Sequence, residues 1–243
     1  MFDSKKVKAF FAVAFMCSCL VFPRAFQELK ILLLLCFFAS SVFDKDYFVN
    51  IKLSFFYLII MFVGVLWAIV GLLNDSYFVG VVDGFKLYFI WSIIFLLFYN
   101  ALLKLNAISL INKAVFIAGF LVSSMNLVFV ASSANGIGLF PQFFLDAMQM
   151  RIGFHEYYVQ LTSHNIGMLF FITPYLVVAL FYRRFNFKIV HYGILALCLL
   201  AVALSGRRAL WLVVAITPLL MVAYFLFIGK FFWLRWNRLT SFF

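Results

Sequence analysis

Eight apolar runs take up most of this chain, over residues 9–22, 26–43, 53–73, 79–103, 107–130, 165–182, 189–204 and 209–228. A helix of about 20 apolar residues crosses a hydrocarbon core of roughly 30 Å, so runs of this kind read as membrane spans. The first two are marginal in length, and Phe22-Pro23-Arg24 ends the first helix, because proline cannot continue one. They are expected to be short, tilted or a tight hairpin. No run shows the period-two alternation of a membrane β-barrel. The chain is 67% hydrophobic and 11% charged, more apolar side chain than a soluble domain can bury. The expected fold is an all-α polytopic membrane protein, a single bundle of about eight transmembrane helices. No small-residue cleavage site follows the first run, which therefore reads as a retained helix rather than a signal peptide.

The charges between runs alternate. Lys5, Lys6, Lys8, Lys45, Lys52, Lys104, Lys113, Arg183, Arg184, Lys188, Lys230, Arg235 and Arg238 fall on one side, thirteen in all. Arg24, Lys30, Arg151, Arg207 and Arg208 fall on the other, and Lys86 lies within a run. The positive-inside rule puts the richer side, with both termini and a tail over about 229–243, in the cytoplasm. Without the first two runs the balance is still ten to three, so the orientation does not depend on them. The net charge of +11 is thus read as topology anchors, not as a nucleic-acid footprint, and no nucleic acid is expected as a partner. Cys17, Cys19, Cys36 and Cys198 lie in apolar runs and read as small hydrophobes. Cys17-x-Cys19 lacks metal-ligand spacing.

One long break, about 131–163, falls on the outer side. It runs through Ser132-Ser133-Ala134-Asn135-Gly136, aromatic Phe140-Pro141-Gln142-Phe143-Phe144, and Met150-Arg151-Ile152-Gly153-Phe154-His155-Glu156. It is expected to be a periplasmic loop without clear structure of its own, and such loops are usually functional. The paired cations Arg207-Arg208 sit in another outer break, Ser205-Gly206-Arg207-Arg208-Ala209. Guanidinium forks match phosphate oxygens, and a helix start adds N–H donors for an anion. The competing reading is an arginine that snorkels to lipid headgroups. Arg151 either joins such a site or is a solvated loop charge.

His155, Glu156 and His164 are the candidates for proton transfer, since imidazole titrates near working pH and a carboxylate can act as base. Ser163 or Asn165 can equally serve as a helix cap. Asp83 and Lys86 lie three apart within the fourth run. They are either an intramembrane functional pair or a neutralising pair that lets the helix insert. There is no H-E-x-x-H pattern, phosphate-binding loop or serine nucleophile elbow. No metal and no cofactor are expected.

The order of motifs carries a resemblance over about residues 145–225. Arg151-x-Gly153 in the long loop precedes His164-Asn165-x-Gly167, which leads into a helix with Pro174. One hairpin later comes Leu204-Ser205-Gly206-Arg207-Arg208-Ala209-Leu210. This resembles the O-antigen ligase and O-antigen polymerase superfamily of bacterial envelope glycosyltransferases. Arg207 stands where the family arginine stands, and Arg208 where glycine is usual. The resemblance implies a metal-independent reaction at the periplasmic face of the inner membrane. There an undecaprenyl-diphosphate-linked glycan would be polymerised, or ligated to lipopolysaccharide. It implies that Arg151, Arg207 and Arg208 hold the pyrophosphate. Gly153, Asn165 and Gly167 would belong to the motif that starts the helix. The partners it implies are the lipid-linked glycan, membrane lipids, chain-length regulators and other polysaccharide-assembly proteins. Family members usually carry further helices and a second large periplasmic loop with a histidine. The departure implies a short or C-terminally truncated member, or a base drawn from His155, Glu156 and His164. The alternatives are a transporter or flippase of a lipid-linked glycan or other anion, and a non-catalytic fragment.

Overall fold

The computed structural model of the protein describes residues 4–42, 51–74, 77–103, 105–154, 159–181, 189–224 and 226. Its helices are α1 (Ser4–Val21), α2 (Gln27–Val42), α3 (Ile51–Leu73), α4 (Phe78–Phe85), α5 (Trp91–Leu103), α6 (Ala107–Ala134), α7 (Gln142–Met148), α8 (Leu169–Phe181), α9 (Ile189–Leu204) and α10 (Arg208–Tyr224). A π-helical turn, Lys86–Ile90, joins α4 to α5. Three stretches are long and apolar enough to cross a membrane: Ser54–Leu73, Phe78–Leu103 and Ala107–Ala134. The expected count of eight rests on helices that are mostly shorter than a full crossing. Among the described residues α9 has 16 residues and α10 has 17, about 24–26 Å at ~1.5 Å per residue. In α1, Lys5, Lys6 and Lys8 lie inside the helix rather than ahead of it.

The chain divides into two compact units, Met1–Val13 with Leu32–Ile111, and Ala14–Ile31 with Asn112–Phe243. In the first unit α3 packs along α4, the π turn and α5. Gly64 permits that approach, since a Cβ there would overlap the Cβ of Tyr88. Most of α3 is otherwise bare: Phe55, Phe62 and Trp67 are each more than 60% exposed. A helix apolar on every side and packed on only one is suited to lipid rather than to water. Phe37 of α2 packs on Phe98 of α5, with ring centroids 4.9 Å apart. The Lys86 ammonium lies 3.3 Å from the Asp83 carboxylate, and both side chains are more than half exposed. The pair therefore faces outward as mutual neutralisation at i,i+3 spacing.

In the second unit α8 packs against α10 and α9. Gly119 of α6 lets three helices converge. A Cβ there would lie 3.1 Å from Ile172 of α8 and 3.3 Å from the sulfur of Cys198 on α9. Cys198 is fully buried and accepts a hydrogen bond from the Ser123 hydroxyl at 3.2 Å.

The segment expected to be an unstructured outer loop has an architecture of its own. α6 continues to Ala134, α7 starts after Pro141, and two short strands, β1 (Arg151–Phe154) and β2 (Val159–Thr162), pair as an antiparallel hairpin. The fold is therefore helical with a small two-stranded sheet, not purely α. Proline suits the start of α7 because its fixed φ and missing N–H cost nothing there. Gln149, at φ 49°, ends that helix in the left-handed region. The hairpin pairs Arg151 with Thr162, Ile152 with Leu161, Gly153 with Gln160 and Phe154 with Val159. Leu161 is buried, whereas Gln160 and Thr162 on either side are exposed, the alternation of a half-buried strand.

Candidate functional site

Three breaks that charge counting assigns to the outer side meet in the second unit. The first is the turn between α1 and α2. Phe26 is held at φ 54°, a costly conformation for a bulky residue. Its ring lies 6.1 Å from Phe144 of α7, and Phe22 lies 6.4 Å from the same ring. Phe140 stacks on Phe144 at 5.6 Å and reaches Phe129 of α6 at 6.1 Å. This aromatic chain fixes Arg24, which is exposed beside it. Lys30 is buried, and its ammonium donates to the Pro23 carbonyl at 3.1 Å, closing the turn.

The second break is the hairpin, and the third is the turn between α9 and α10, which docks on the outer edge of β2. The Leu161 N–H donates to the Ser205 carbonyl at 3.2 Å. Gly206 adopts φ 66°, and a Cβ there would overlap the Val159 carbonyl oxygen. Only glycine combines this left-handed backbone with so close an approach. Ser205 is fully buried, donates to the Val202 carbonyl at 2.7 Å and accepts from the Arg207 N–H at 3.2 Å. The Trp211 indole N–H donates to the same Val202 carbonyl at 2.9 Å. A cavity of about 420 Å³, lined by Gln160, Gly206, Arg208 and Trp211, opens beside this turn. Arg208 is exposed in it, while Arg207 is half-buried next door.

His164 stands where the hairpin gives way to α8. Its backbone N–H donates to the Met148 carbonyl at 3.0 Å. Its neighbours form a buried polar knot. The Ser163 hydroxyl lies 2.7 Å from the Asn165 side-chain oxygen and 3.1 Å from that of Asn126. The Asn126 amide donates to Asn165 at 3.1 Å and to the Val122 carbonyl at 2.7 Å. Ser163 also accepts from the Ile166 N–H at 3.2 Å, so it is the cap. Asn165 is fully buried, and its side-chain oxygen accepts within this knot while its amide nitrogen has no hydrogen-bond partner among the described residues. Burial lowers the pKa of His164, and the positive charge of Arg24 lowers it further. The imidazole is therefore mostly neutral near pH 7 and can accept a proton.

Arg24, Arg151, Arg207 and Arg208 thus stand on the three segments that pack together in the second unit. Among the described residues none of their side chains forms an ion pair or hydrogen bond. Asp146, the nearby acid of α7, is engaged by the Gln142 amide at 3.0 Å. Of the four, Arg208 lines the cavity and Arg207 is its chain neighbour; guanidinium groups without a counter-charge among the described residues attract anions.

Gly153 pairs with Gln160 in the hairpin, opposite the α9–α10 turn. Gly167 has open space where a Cβ would stand, so packing does not require a glycine there. His155 and Glu156 lie outside the described residues. Arg24, Gln160, Trp211 and Asn126 join this region only through the fold. Arg24 was visible as a cation of the poorer side, and Asn126 as an amide inside an apolar run. Comparison with protein-family models, curated proteins and solved structures gave no match.

Proposed function

We propose that the chain is a bacterial inner-membrane glycosyltransferase of surface-polysaccharide synthesis. It would join undecaprenyl-diphosphate-linked oligosaccharide units at the periplasmic face, as a polymerase in the first instance. The observation that supports this reading is Arg208, which lines the cavity beside Trp211 with Arg207 next to it, neither side chain having an ion-pair or hydrogen-bond partner among the described residues. In the reaction an acceptor hydroxyl attacks the anomeric carbon of the donor. The bond from that carbon to the diphosphate oxygen breaks, and its electron pair leaves on the polyprenyl diphosphate. Guanidinium groups offset the charge that develops on the leaving group, the largest single term in many such sites. The hydroxyl proton passes to a base. His164 has the protonation state for that role, with His155 and Glu156 as the other candidates. Trp211 offers an aromatic wall beside the cation, suited to an apolar or sugar face.

A flippase reading needs charge in a central cavity. Asp83 and Lys86, the pair considered for it, neutralise each other on an exposed face. The two roles part in a deletion strain. Loss of a polymerase leaves single repeat units on their lipid carrier at the outer leaflet. If the units instead build up on the cytoplasmic leaflet, the chain is a translocator and the polymerase reading fails.

A further inference from the structure

A second concave site lies in the same unit, away from the arginines. α6 and α9 leave between them a groove of about 630 Å³, lined by Phe116, Ile117 and Phe120 on one side and Gly193, Ile194 and Leu197 on the other. Its size falls within the roughly 300–1,000 Å³ of small-molecule sites, and its walls are wholly apolar. Gly193 forms an open floor, with nothing within 4 Å of where a Cβ would stand. One turn before Phe116, Lys113 lies on the same face of α6, since residues three, four and seven apart share a helical side. Lys113 is exposed and forms no ion pair among the described residues. The His191 ring packs edge-on against Phe116 at 4.4 Å, at the same end of the groove. On α6, Lys113 precedes Ser132 by nineteen residues, about 28 Å along the axis. The cation therefore lies near the opposite membrane surface from the arginine site.

We propose that this groove is a binding site for an anionic phospholipid of the surrounding bilayer, with an acyl chain along α6 and α9 and the phosphate against Lys113. The groove lies on a helix long enough to cross the membrane, so hydrocarbon rather than water meets it. Lys113 stands at its mouth with no acidic partner among the described residues, which selects a negative headgroup. The inference stands apart from the glycosyltransferase reading and does not need it.

The test uses the full chain purified in an uncharged detergent. Phosphatidylglycerol and phosphatidylcholine with the same acyl chains are added, and bound lipid is counted by native mass spectrometry. The wild type retains phosphatidylglycerol about fivefold better, the preference expected for one lysine near a phosphate. Lys113→Gln removes that preference and keeps the weaker, charge-blind binding. Gly193→Leu fills the groove and reduces retention of both lipids, with an unchanged elution profile showing that the fold survives. Equal retention of both lipids by the wild type overturns the proposal. So does a Lys113→Gln variant that keeps the preference, or a groove occupied by a second copy of the chain, seen as a dimer that Gly193→Leu dissolves.

Discussion

Cells that carry Arg207→Ala and Arg208→Ala together make no detectable polymer, a fall of at least about a hundredfold, while the protein reaches the membrane at wild-type level. Each guanidinium lost removes charge-assisted hydrogen bonds to the leaving group, worth about 1.5–3 kcal/mol apiece. Two such losses amount to roughly 3–6 kcal/mol, or about two to four powers of ten. Neither side chain has an ion-pair or hydrogen-bond partner among the described residues, so their removal breaks no polar tie of the fold. Of the single variants Arg208→Ala has the larger effect, because Arg208 lines the cavity and Arg207 stands half-buried beside it. Arg208→Lys keeps the charge but loses the bidentate fork, and it falls between. Polymer of normal length from the double variant would remove the diphosphate site from this turn.

Gly206→Val has the second large effect, through geometry rather than charge. A β-branched residue at φ 66° costs about 1–3 kcal/mol in backbone strain. The overlap with the Val159 carbonyl adds an overpacking cost of about 1–3 kcal/mol. The turn has a cheaper course, which is to lift off β2 and break the bond between the Leu161 N–H and the Ser205 carbonyl. Arg207 and Arg208 then leave the hairpin, and activity falls more than tenfold with the helices intact by circular dichroism. Gly167→Ala is the contrasting variant. A Cβ there meets nothing within 4 Å, and polymer stays within about twofold of wild type, the scatter of a neutral surface change.

The helices were the legible part. The runs read at 79–103, 107–130 and 189–204 correspond to the helical stretches Phe78–Leu103, Ala107–Ala134 and Ile189–Leu204. An uninterrupted apolar run has one way to satisfy its backbone without water. α1 began earlier than expected because Lys5, Lys6 and Lys8 are good helix formers with no breaker among them. The hairpin escaped because Val-Gln-Leu-Thr is four residues long, too short for its alternation to stand out. Its partner strand contains a glycine and an arginine. The α9–α10 turn drew attention as charge on the poorer side. That it docks on β2 is a contact about forty-five residues distant in sequence, and no local pattern carries it. The polar knot of Asn126, Ser163 and Asn165 was hidden for the same reason. Each amide alone reads as a cap or a chance polar residue in an apolar run, and only the pairing across thirty-nine residues makes it a tie between α6 and the start of α8.

The most direct measurement uses the purified full chain in lipid vesicles, supplied with an undecaprenyl-diphosphate oligosaccharide on the side that carries the arginines. Glycan length and released lipid diphosphate are followed together. The expected result is one undecaprenyl diphosphate released for each glycosidic bond formed, and loss of both signals with Arg207→Ala and Arg208→Ala. Lipid-linked oligosaccharide that crosses the vesicle membrane unchanged, with no diphosphate released, would contradict it.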